Sequence, residues 1–115
     1  MVTMFLDARV PVRFGVIDAE AAALVADGLP DPPACAVWHF APEATLAGHA
    51  PGCACCAPRL AAAEALRRLF LARAKGEVAF FRSVSVFAPP AAEAVIRGAL
   101  RDDPLLAAWF RAATD

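Results

Sequence analysis

The chain has 115 residues, four cysteines and a formal net charge of −1; 60% of its residues are hydrophobic and 20% charged. That length fits one domain, residues 1–115, with a core that needs neither disulfide nor metal to hold it. Near-neutral charge excludes a general attraction to nucleic acid or anionic lipid, and no apolar run approaches the roughly 18 residues of a membrane span.

The amino-terminal "MVTMFLDARV" has no basic stretch ahead of its apolar part, which is itself too short for a signal peptide. The expectation is a cytoplasmic protein whose thiols stay reduced. Residues 2–6, "VTMFL", form a short β-prone run closed by Asp7. Residues 10–17, "VPVRFGVI", continue in the same style, with Pro11 and Gly15 marking an edge strand or an irregular segment. Asp18 is placed to cap a helix over "AEAAALVADG", which Gly28 would end. "LPDPP" is a turn, since its prolines continue neither helix nor strand.

"ACAVWHF", residues 34–40, has the pattern of a buried strand whose alternation sets Cys35, Val37 and His39 on one face. His39 is expected there as a core histidine and Cys35 as a small buried apolar residue. Residues 41–57 are loop-like, with Pro42, Gly48, Pro51 and Gly52. Pro58 suits the first turn of a helix that runs to about Lys75 and stops at Gly76. Its apolar stripe is Leu60, Ala63, Leu66, Leu69 and Phe70, and Glu64 and Arg68 form an i,i+4 pair opposite. Arg59, Arg67, Arg68 and Arg73 share this segment as its solvated face.

"EVAFFRSVSVF", residues 77–87, is the strongest strand signal, with Ser83 and Ser85 alternating against Val84 and Val86. Pro89 and Pro90 start a helix with Val95, Ile96, Ala99 and Leu100 on one stripe. "DDP" at 102–104 caps a last helix in which Leu105 and Trp109, then Leu106 and Phe110, pair at i,i+4 as core. This order predicts a small α/β domain: a mainly parallel sheet with flanking helices.

The chemistry-bearing stretch is "HAPGCACC", residues 49–56. Cys53, Cys55 and Cys56 stand between a predicted strand and the start of a predicted helix. Unpaired N–H groups and the helix dipole at such a start favour thiolate. Thiolate binds soft metals: zinc first, with copper(I) or cobalt(II) as other candidates. Three thiolates leave a fourth position, for which His49 is near in sequence and Cys35 and His39 are alternatives from the preceding strand. A thiol pair cycling through a disulfide is the rival chemistry, and a metal-free interaction domain the rival without chemistry.

"GCACCAPRLAAAEALRRLFLARAKGEVAFFRSVSVF" resembles the middle of the CobW-type P-loop GTPases, in which Gly-Cys-x-Cys-Cys is followed by an arginine, a long helix, Gly-Glu and a strand. Here these are Gly52 to Cys56, Arg59, the helix to Lys75, Gly76-Glu77, and Phe81 to Phe87. Asp103-Pro104 with "LLAAWFRA" and, more loosely, "VIDAEAAALV" at 16–25 are also similar to that family. The resemblance implies a truncated G domain, metal handling of the metallochaperone kind, and Cys53, Cys55 and Cys56 as ligands to zinc or cobalt. It also implies a partner, either a GTPase or a metal-receiving protein. The chain departs from the family by lacking G-x-x-x-x-G-K-[ST] and Asn-Lys-x-Asp, so nothing in it cradles phosphate or selects guanine. The expectation is therefore a metal-binding or regulatory module without GTPase activity.

Overall fold

The computed structural model describes residues 8–41 and 61–113. The expected strand over 2–6, the start of the helix at Pro58 and the whole cysteine stretch lie outside the described residues.

The elements in chain order are β1 (Val10–Phe14), β2 (Ala22–Ala26), β3 (Ala36–Phe40), α1 (Ala61–Ala74), β4 (Val84–Phe87), α2 (Pro90–Asp102), α3 (Pro104–Trp109) and β5 (Phe110–Ala112). The strands form one five-stranded sheet in the order β3-β2-β4-β1-β5, and every pairing is parallel. The expected class, an α/β domain built on a parallel sheet, is the observed one.

Register fixes which side chains share a face. Ala22 lies beside both Ala36 and Val84, Val12 beside Val84, and Val10 beside Phe110. One face therefore carries Val10, Val12, Leu24, Phe40, Val84, Val86 and Phe110, all buried. These pack with Leu66 and Leu69 of α1, Ile96 and Leu100 of α2 and Leu106 of α3 in one core. Phe70 of α1 stacks on Trp109 at 4.3 Å between ring centroids and meets Phe110 edge-on at 5.6 Å, which joins α1 to the end of α3.

The other face is crossed by the two connections that carry no helix. Arg13 on this face reaches Asp18 in the β1–β2 connection at 2.5 Å. His39 on the same face reaches Asp31 in the β2–β3 connection at 2.6 Å. Burial of Ala23, Val25 and Ser85 at 0–2% exposure shows that this second face is covered as well.

Four expectations are corrected. Residues 18–28 are not a helix, because β2 occupies Ala22–Ala26 and all five of its residues are buried. The even apolar run "AALVA" serves a central strand with both faces covered, a pattern that alanine content disguises as helical. Asp18 caps a tight turn instead, its Oδ1 accepting the Glu20 N–H at 2.9 Å.

β1 is not an edge strand, since it lies between β4 and β5. Pro11 is tolerated because the Gly15 N–H donates to Val86, so odd residues of β1 face β4, whose ladder with β1 begins only at Val12. No ladder hydrogen bond is lost at Pro11.

The strand expected over 77–87 is confined to Val84–Phe87; the preceding residues lead from the end of α1 into the sheet. Phe81 is 1% exposed, whereas Phe80 is 69% exposed under the Arg73 guanidinium, 3.9 Å from its ring centroid.

The last helix stops at Trp109, and Phe110 turns extended (φ −130°, ψ 159°) to begin β5. Leu106 and Phe110 are buried as expected, the second as a strand residue.

Candidate functional site

In parallel α/β sheets, ligands bind outside the carboxyl ends of the strands. Here that end holds a groove of about 330 Å³ between β3 and the first two turns of α1, lined by Trp38, His39, Phe40, Ala61, Glu64, Ala65 and Arg68. β3 ends at Phe40 and the described part of α1 runs from Ala61, with His49, Cys53, Cys55 and Cys56 between them in sequence.

Glu64 is the most perturbed acid at the groove. Hydrogen bonds from Arg67 at 2.8 Å and from Arg68 at 3.0 Å, together with the charges of both, hold its carboxyl down at about 2 against the opposition of partial burial. It is therefore ionised throughout the physiological range and neutralised locally by two guanidinium groups. A carboxylate so engaged is a structural anchor for the start of α1 rather than a proton carrier.

His39 projects from the helix-free face, with its side chain 44% exposed. It is not the core histidine expected, because the face of β3 that bears it meets a loop residue, Asp31, rather than a packed layer. Nε2 faces the Asp31 carboxylate, which fixes the ring and leaves Nδ1 for another partner.

Cys35 is likewise not the buried apolar residue expected; it is an exposed free thiol. Partial desolvation, helped by the charge of Asp18, pushes its thiol up, so it is not activated as a thiolate. Cys35 and His39 stand four residues apart along one strand, about 13 Å, which is too far for both to join one ion. Among the described residues no group of three or more His, Cys, Asp or Glu side chains is arranged to hold a metal.

His49, Cys53, Cys55 and Cys56 lie outside the described residues. The Asp31–His39 pair and the groove beside Trp38 were not foreseen. Asp31 sits in a proline-rich turn whose sequence carries no sign of its partner eight residues on.

A second, smaller cleft of about 180 Å³ lies at the amino ends of β2 and β4, lined by Asp18, Glu20, Phe80, Arg82 and Ser83. Asp18 there is held below the usual carboxylate range by the Glu20 N–H and by Arg13. No described helix is long and apolar enough to cross a membrane. The chain matches no family model, no curated protein and no solved structure.

Proposed function

We propose that the chain binds a thiophilic divalent metal, zinc, through Cys53, Cys55 and Cys56 with His49 as fourth ligand. The reading rests on one observation: three cysteines and a histidine within eight residues, "HAPGCACC", in the stretch of sequence that joins β3 to α1. Three sulfurs and one imidazole nitrogen form a donor set suited to tetrahedral zinc. The resemblance to CobW-type proteins points the same way, and the missing phosphate and guanine motifs make this a metal-handling or regulatory module rather than a GTPase. Its setting in this reading is the cytoplasm, where the thiols remain free for metal, and its partner is a GTPase or a metal-receiving protein.

Metal content after purification under reducing conditions tests the proposal, together with cobalt(II) substitution. The expected result is one equivalent of metal per chain. Sulfur-to-cobalt charge-transfer intensity should fit about three thiolates, with visible bands of tetrahedral geometry. Replacing Cys53, Cys55 or Cys56 singly by serine should each remove one thiolate's share and weaken binding; His49→Ala should leave the thiolate count unchanged. If all three serine variants keep the full spectrum and affinity, the metal reading is wrong. A disulfide that forms reversibly among these cysteines without metal would put thiol redox chemistry in its place.

A further inference from the structure

We propose that the outer edge of β3 is a homodimer interface, at which a second copy of the chain adds its own β3 antiparallel about a two-fold axis through Trp38. Among the described residues β3 pairs with β2 alone. The Asp27 N–H donates to the Phe40 carbonyl at 2.8 Å, so Phe40 faces β2, and strand alternation then turns the N–H and C=O groups of Val37 and His39 outward.

Natural edges are blunted by shortness, by charge, by proline or by a bulge. The opposite edge follows that rule: β5 is three residues long and contains Arg111. β3 does not, for its five residues "AVWHF" include no lysine, arginine, acid or proline. Such an edge is a template for another strand.

Self-pairing fits the strand's own pattern. Centred on Trp38, the antiparallel register sets Ala36 against Phe40 of the second copy and Val37 against its His39. No like charges meet, and Val37 of each copy exchanges both of its outward backbone hydrogen bonds with His39 of the other. Each indole then lies on the helix side of the joined sheet, beside the open groove between β3 and α1. That groove gives the second copy's Trp38 an apolar floor in Ala61 and Ala65. The interface is isologous, so it closes on a dimer and leaves no free β3 edge for further growth.

Sedimentation of the full chain from low to high micromolar concentration tests this, with amide hydrogen exchange measured in parallel. The expected species is a dimer of the 12.0 kDa chain, in which exchange at the Val37 and His39 amides slows as dimer forms. Val37→Pro removes an outward N–H that β2 does not use, and should weaken dimerisation by roughly tenfold or more while leaving the monomer folded. If that variant fails to fold, exchange in the unmodified chain decides alone. A monomer at every concentration overturns the proposal. So does a dimer with unprotected Val37 and His39 amides, or protection of those amides in the monomer.

Discussion

The reassignment of residues 22–26 from helix to strand has a measurable consequence. A central strand has its two faces in different environments, both buried. Leu24 packs in the core against the helices and Val25 points to the opposite face; each is 0% exposed. Leu24→Ala should cost about 2–5 kcal/mol, the usual range for a buried leucine. Val25→Ala removes two methyl groups, about 1.6 kcal/mol of transfer energy, and rises to about 2–3 kcal/mol once the cavity is counted. Because the faces are separated by the sheet, the double variant should be additive within about 0.5 kcal/mol. Urea denaturation of the two single variants and the double variant measures all three quantities. An amphipathic surface helix over the same residues would expose one side and leave one of the two substitutions nearly silent. A Val25→Ala cost below about 0.5 kcal/mol would therefore refute the central-strand assignment.

Two further substitutions probe an ion pair and a helix cap. Glu64→Gln should destabilise at neutral pH by about 1 kcal/mol, less than the full pKa shift implies because solvent screens both arginines. The folded-state pKa of Glu64 is depressed from 4.5 to about 2, so its contribution is present above 4.5 and is lost as pH falls from 4.5 toward 2. The gap between variant and parent should close over that window in a series of denaturation curves, and a gap that persists unchanged would contradict the ion-pair account. Asp103→Ala should cost about 1 kcal/mol, measured by thermal melting, because it deletes an N-cap. The Asp103 Oδ1 accepts the Leu105 N–H at 2.9 Å and the Leu106 N–H at 3.3 Å.

Elements with a local cause were legible in the sequence. Gly76 ends α1 because it adopts φ +77°, and the Glu77 N–H then donates back to Ala72. Pro90 opens α2 and Asp103-Pro104 opens α3, each at a helix start where proline forfeits no hydrogen bond. Val84 and Val86 face the core while Ser85 faces away, as their alternation predicts. Elements with a non-local cause were not legible. β2 is a strand because β3 and β4 flank it, and its alanines have no strand preference of their own. Phe110 leaves the helix because β1 offers a ladder beside Val10. The same distinction governs the site. The cysteine cluster is visible in sequence because its members are neighbours, whereas the Asp31–His39 contact and the groove between Trp38 and Arg68 exist only after a turn and a crossover have formed.

β3 carries both proposals, on separate parts of one strand. The proposed metal ligands follow its carboxyl end at Phe40 in sequence; the proposed dimer contact uses its outer backbone from Val37 to His39. In the antiparallel register the two Phe40 residues stand at opposite ends of the shared ladder, about 13 Å apart along the strands. Each Phe40 thus stands at its own end of the joined sheet, and the three cysteines and one histidine of the proposed donor set are present in each chain. On the proposed reading, metal binding then does not require the second copy. Val37→Pro acts three residues before Phe40 and leaves the donor set intact, so it separates the two readings. Loss of the dimer with full metal content retained would support a site within one chain beside an independent interface. Loss of both together would mean that ligands are shared between chains, and a ligand set drawn from one chain alone would be wrong.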